Sequence, residues 1–298
     1  MTCTRCEGTG WRPVDHDGVR RVERCECWRE SLAASFTDEA KIPPRYGRCD
    51  LTNFVLYSSE TLYAAVAHAT RFADQFPATP KGLCLVGPPG IGKTHIAVAV
   101  LRKVIMDKRV HGLFYDTRAL LRLIRSTYNP VVRTAEMDVL RPVMEAELLV
   151  LDDLGAEKPT EWVEETMNLI VNTRYNERRT TIFTTNYEAS QDAEDLDSLQ
   201  VRIGFRMWSR LHEMCEFVSF TGLDYRLLGP NVDADEIGVI WKRNAGRRPL
   251  PSRSRGVARA QVSESALLRE SEAKILKELK DRKDPRELKW PGGKAGRS

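Results

Sequence analysis

Five short runs of β-forming residues, spread between residue 81 and about residue 229, limit the fold more than any other feature of this chain. They read L-C-L-V-G (83–87), L-F-Y-D-T (113–117), L-L-V-L-D (148–152), T-T-I-F-T-T-N (180–186) and F-V-S-F-T-G (217–222). Helical patterns at 94–108, 118–126 and 161–178 separate the first four. Strands that are apolar along their length and alternate with helices require a parallel sheet covered on both faces. The expected class is α/β, with a parallel five-stranded sheet between helices.

The first run leads into G-P-P-G-I-G-K-T, that is Gly87, Pro88, Pro89, Gly90, Ile91, Gly92, Lys93 and Thr94. This is a full G-x-x-x-x-G-K-[ST] match between a strand and a helical pattern. Glycines let the backbone turn tightly so that N–H groups point inward at phosphate oxygens. The helix start adds its positive end. Lys93 is expected on the β- and γ-phosphates, and Thr94 on Mg²⁺. The competing reading is a glycine-rich turn without chemistry.

A nucleotide site also needs an acid on a neighbouring strand. L-L-V-L-D-D ends in two, Asp152 and Asp153. Asp152 is the expected Mg²⁺ residue, with a helix cap as the alternative. Asp153 faces away if the strand continues. If the chain swings at the strand end, its carboxylate can orient the attacking water and take its proton. Asp is one methylene shorter than Glu, so it must approach closely. Glu157 is a rival for that role. Asn186, at the end of the T-T-I-F-T-T-N run, is expected beside the γ-phosphate, with a turn-forming Asn as the alternative. In G-F-R-M-W-S-R-L (204–211), Arg206 and Arg210 share a helix face. They are either solvated charges or groups that reach a neighbouring subunit's nucleotide. Arg226 is a further candidate for the γ-phosphate.

Cys3-x-x-Cys6 and Cys25-x-Cys27 bracket a segment with little to fill a core. Four thiolates in two close pairs suit a tetrahedral Zn²⁺ site coupled to local folding. A redox pair or free thiols are the alternatives, and Asp15 or His16 is a substitute ligand. Cys49, Cys84 and Cys215 are isolated and read as packing residues.

In this order, G-P-P-G-I-G-K-T, L-L-V-L-D-D-L-G, T-T-N-Y and G-F-R-M-W-S-R-L resemble the bacterial and phage replicative-helicase loaders of the AAA+ class. The transposition helper ATPases of insertion elements are similar. The resemblance covers roughly residues 42–228. It implies an AAA+ P-loop core that binds and hydrolyses ATP with Mg²⁺. Asp152 is implied as the metal acid, Asp153 as the second acid and Asn186 as the sensor. Arg210 is implied as the arginine finger acting in trans, with Arg206 second, and Arg226 matches the second sensor loosely. Implied partners are a replicative DNA helicase, single-stranded DNA and further copies of the chain across the ATP sites. Turnover is implied to be slow until a partner or DNA assembles the interface. Two other readings stand beside loading: a transposition helper on duplex DNA, and a nucleotide-dependent scaffold with little hydrolysis.

The expected division is a cysteine-rich zinc-binding segment (1–40), the ATPase domain (41–229) and a basic tail (230–298). Residues 242–298 hold 17 Lys/Arg against 7 Asp/Glu. Such a tail can touch nucleic acid or simply keep the chain soluble. Residues 244–258 read as a linker, and Leu268, Ile275 and Leu279 form the stripe of a helix at 263–281. The apolar runs are strand-sized, too short to span a membrane. No basic-then-apolar segment opens the chain, so the expected location is cytoplasmic.

Overall fold

The computed structural model describes residues 3–57, 59–129, 135–189, 198–228 and 234–244. Residues 245–298 lie outside the described residues, and with them nearly all of the expected linker and the expected helix at 263–281.

An antiparallel hairpin comes first, β1 (Trp11–His16) and β2 (Val19–Arg24), with Trp11 opposite Arg24. Helix α1 (Glu26–Glu39) follows, then α2 (Glu60–Gln75). The sheet and its helices run β3 (Gly82–Val86), α3 (Lys93–Lys108), β4 (Gly112–Asp116), α4 (Thr117–Ser126), α5 (Glu136–Glu145), β5 (Leu148–Asp152), α6 (Glu161–Asn176), β6 (Thr180–Thr185), α7 (Leu199–Ile203), α8 (Phe205–Met214) and β7 (Cys215–Ser219). A last helix, α9, spans Ala234–Asn244.

The five strands β3–β7 pair in parallel in the order β4-β5-β6-β3-β7. This is the AAA+ arrangement, with the phosphate-loop strand β3 between β6 and β7. The strand period of two explains how one run serves both faces. Leu83 and Leu85 of β3 pack with α2 and α3 residues such as Phe72 and Ile96. Cys84 and Val86 face the other way, into a cluster with Leu120, Met167 and Leu211. Leu148 and Val150 of β5 split from Leu149 and Leu151 in the same manner. Each fully buried Leu or Ile contributes about 1.5–3 kcal/mol, so the sheet is a rigid base for the loops at its strand ends.

Cys49, Cys84 and Cys215 are all buried, in keeping with packing roles. The hairpin between the cysteine pairs and the helix at 234–244 are not among the elements expected from the sequence. In α9, Ile237 is fully buried and the Trp241 ring meets Tyr57 edge-on. No helix among the described residues is long and apolar enough to cross a membrane.

Candidate nucleotide site and cysteine cluster

The phosphate loop joins β3 to α3 at the C-terminal ends of the parallel strands, where ligands of open α/β sheets bind. Its conformation requires glycine. Gly92 caps α3 at φ +102°, and a Cβ there would stand 2.5 Å from the Phe54 ring. Gly90 has φ +81°, and a Cβ there would collide with the Asp224 carboxylate. Two segments therefore press on the loop. One is 50–57, where His95 Nε2 lies 3.0 Å from Asn53 Oδ1. The other is 221–226, where the Tyr225 N–H donates to Gly90 O at 3.0 Å.

Lys93 is only 7% exposed. Its ammonium donates to Gly87 O at 2.8 Å, Pro88 O at 2.7 Å and Asn186 Oδ1 at 2.7 Å. Burial pulls its pKa down to about 8, against the pull of Asp152 and Asp153. Arg226 and Asp224 are close enough to add to its field, so the structure brings Arg226 to the phosphate-loop side.

Thr94 Oγ1 lies 2.9 and 3.1 Å from the two oxygens of Asp152. Thr184 of β6 donates to Asp152 Oδ1 at 2.6 Å. A Thr hydroxyl and a carboxylate held this way are an oxygen donor set that suits Mg²⁺. Burial pushes the Asp152 carboxyl above the usual range; the Thr184 and Thr94 hydrogen bonds oppose it, and Asp153 and Asp116 add to it. A divalent cation would relieve that crowding.

Asp153 leaves the strand with φ +60°, in the left-handed region that Asp tolerates better than most residues. This turn swings its carboxylate round to Asn186, whose Nδ2 donates to Asp153 Oδ1 at 2.6 Å. Two bonds to β6 hold the turn: the Asp153 N–H to Thr184 Oγ1 at 2.9 Å and the Leu154 N–H to Thr184 O at 2.8 Å. Burial also raises the Asp153 carboxyl, with Arg118 opposing and Asp116 adding. Lys93, Asn186 and Asp153 thus form one hydrogen-bonded chain beside the Thr94–Asp152 pair. Glu157 makes no contact with this chain and lines an apolar cavity near Pro159 and Met207 instead.

The two helix arginines lie elsewhere. Arg206 is exposed on α8. Arg210 Nη1 donates to Arg206 O at 2.9 Å, and its guanidinium lies 6.0 Å from the Tyr175 ring centre. Neither bonds to the phosphate loop of its own chain. Asp116, Arg118, Thr184, Asp224 and Phe54 were not foreseen. Thr184 had a signal: a Thr in a fully buried strand must find a partner. The others had none, because strand order and loop return bring them in.

At the N-terminus the sulfurs of Cys3, Cys6, Cys25 and Cys27 all lie within 4.8 Å of one another. Cys3 and Cys25 are 3.8 Å apart, and Cys6 and Cys27 3.3 Å. Zn–S bonds of about 2.3 Å place tetrahedral sulfurs about 3.8 Å apart, so the four fit Zn²⁺. The Cys27 contact, with the Gly10 and Gly8 amides, holds the Cys6 thiol down at about 7. Asp15 instead takes the Gly18 N–H at 2.9 Å in the hairpin turn. Arg24 lies between Trp11 and Trp28, 3.8 and 4.3 Å from the ring centres.

A phosphate loop, a Thr–Asp pair and a polar Asn just past the intervening strand fit a P-loop nucleotide-binding protein of the AAA+ class. Within that class the chain belongs to the IstB-like ATP-binding protein family, whose model matches residues 69–229. It is 23% identical over 223 residues to the uncharacterized protein YqaM of Bacillus subtilis (strain 168), covering 72% of this chain and 65% of that one. It is 23% identical over 170 residues to the replicative helicase loader DnaC of Escherichia coli (strain K12), covering 56% of this chain and 68% of that one. A crystal structure of the DnaC helicase loader superposes with a TM-score of 0.53 at 31% identity, over 60% of this chain and 99% of that one.

Proposed function

We propose that the protein is an ATPase of DNA replication that loads or remodels a replicative helicase. The hydrogen-bonded chain Lys93–Asn186–Asp153 carries the ATPase part. It joins a phosphate-binding cation to a carboxylate able to accept a proton, through an amide that responds to both. Support for the loader part comes from the DnaC matches, above all the 31%-identical structure aligned over 99% of its length.

In this reading Thr94 and Asp152 hold Mg²⁺, which neutralises phosphate charge when bound. Lys93 exchanges its bonds to Gly87 O, Pro88 O and Asn186 for phosphate oxygens. The freed Asn186 Oδ1 is then available to the attacking water, with Asp153 as its base. Arg226 approaches the γ-phosphate from the segment after β7. Arg210, or Arg206, completes the site from the next subunit, so turnover is slow until copies associate or DNA or the partner assembles them. The working division is zinc-binding residues 1–40, ATPase residues 41–229 and basic residues 230–298, in a cytoplasmic protein that also meets single-stranded DNA.

The rival is a transposition helper acting on duplex DNA. Affinity capture from the host in ATP, read by mass spectrometry, separates the two. A ring helicase retained in ATP and lost with Lys93→Ala supports loading; a transposase without helicase rejects it.

A further inference from the structure

At the opposite end of the sheet from the phosphate loop lies a second, polar cavity of about 500 Å³. It opens where β3 and β6 begin, at Gly82 and Thr180. The five residues of β3, about 16 Å of strand, separate it from the nucleotide site.

Its wall includes Arg174, which is only 1% exposed. The guanidinium donates to Thr181 Oγ1 at 2.9 Å and to the carbonyls of Val143, Met144, Ala146 and Thr180 at 2.5–3.1 Å. None of these acceptors is a carboxylate. Burial lowers its pKa to about 9, which leaves it charged at neutral pH. Burying a cation with no carboxylate bonded to it is costly; the carbonyls that end α5 and the more distant charge of Glu177 hold it.

More positive charge lines the rim. Lys81 donates one proton to His212 O at 2.9 Å and has two left. Arg179 is paired with Glu177 at 2.6 Å. Arg178 is exposed and sits at φ +52° just past α6. A bulky residue is uncommon there, because the position after a helix usually falls to glycine. Its side chain makes no hydrogen bond or ion pair with the other described residues. The one acid of the lining, Glu213, accepts the Tyr175 hydroxyl at 2.7 Å. The Tyr175 ring also lines the cavity, with the Arg210 guanidinium 6.0 Å from its centre. Guanidinium groups match phosphate in geometry, and an aromatic ring beside them suits a nucleobase.

We propose that this cavity is a second anion site, separate from the ATP site, which takes phosphate groups through Lys81 and Arg178. Two sources share that chemistry: the backbone of a nucleic acid strand and a free polyphosphate. Tyr175 favours the strand.

The test uses the full chain carrying Lys93→Ala, so that the phosphate loop contributes little. Pyrophosphate is titrated calorimetrically, and an oligothymidylate by fluorescence anisotropy over a range of salt. Both are repeated with Lys81→Gln and Arg178→Gln added. Expected is a loss of about tenfold or more in affinity for at least one ligand. For the strand, the slope of log K against log salt should become shallower by about 1.4, or about 0.7 for each phosphate contact removed. A change for the oligothymidylate assigns a strand site, and a change for pyrophosphate alone assigns a free-phosphate site. ADP affinity and melting temperature, with Lys93 restored, control for folding. If Lys81→Gln disturbs them, the exposed Arg178→Gln alone decides. Unchanged affinity for both ligands overturns the proposal. So does a polyglutamate peptide that depends on these residues when neither phosphate ligand does.

Discussion

Asn186 bridges Lys93 and Asp153, so Asn186→Ala tests how the two are coupled. Its amide accepts from Lys93 at 2.7 Å and donates to Asp153 at 2.6 Å. Hydrogen bonds to charged groups contribute about 1.5–3 kcal/mol each. Alanine removes both and leaves the Asp153 carboxylate free to rotate about its side-chain bonds. A base displaced by about 1 Å loses roughly 10²-fold in rate, close to 2.7 kcal/mol of barrier. Lys93 keeps its charge and gains a free proton for phosphate, so ATP affinity should stay within about threefold. Fluorescent-nucleotide titration measures the affinity, and single-turnover hydrolysis with single-stranded DNA present measures the rate. Asn186→Asp should be slower still, because it turns a carboxylate oxygen toward Asp153. Wild-type hydrolysis by Asn186→Ala, or a parallel loss of affinity and rate, would refute the coupling.

In the proposed site Lys93 would hold phosphate in its protonated form, and burial pulls its pKa down to about 8. The dissociation constant for ATP should therefore be flat below about pH 8 and rise up to tenfold per unit above it. A flat profile to about pH 9.5 would contradict this. The Asp153 carboxyl is pushed up by burial, so its ionised form costs stability above that pKa. Asp153→Asn should raise the melting temperature of the nucleotide-free protein near neutral pH, with the gap closing in acid, where the wild-type carboxyl is protonated. Asp153→Glu should keep ATP binding and keep or raise stimulated turnover; abolished turnover would mean that the site is built around the shorter side chain. Chelation should release about one Zn²⁺ per chain and change the fluorescence of Trp11 and Trp28 around Arg24, while ATP affinity holds. Metal analysis that finds less than one Zn²⁺ for every few chains would reject the cysteine site.

Four of the five strands were legible because they are buried on both faces; β7 is only partly buried and begins at Cys215, two residues before its expected run. L-L-V-L-D matches β5 residue for residue, and G-P-P-G-I-G-K-T matches the turn from β3 to α3. The placement of Asp152 and Lys93 at the phosphate loop followed from local context alone. The swing of Asp153 was legible only as an option, because it depends on β6 lying beside β5 and offering Thr184 and Asn186. Asp224 and Phe54 could not be read at all. They press on Gly90 and Gly92 because distant segments fold back across the loop, and no local pattern encodes that return. The hairpin between the cysteine pairs was missed for another reason. Most of its residues are exposed, so it lacks the buried alternation that marks a strand, and the clustered cysteines at its base stand in for a core.

Helicase loading itself is tested most directly on circular single-stranded DNA coated with single-strand-binding protein. The host's purified ring helicase is added with this protein and ATP, and helicase retained on the circles is measured after gel filtration. Retention should need this chain, need ATP and be lost with Lys93→Ala. Helicase that stays off the circles under all these conditions, while the protein binds ATP normally, would contradict helicase loading.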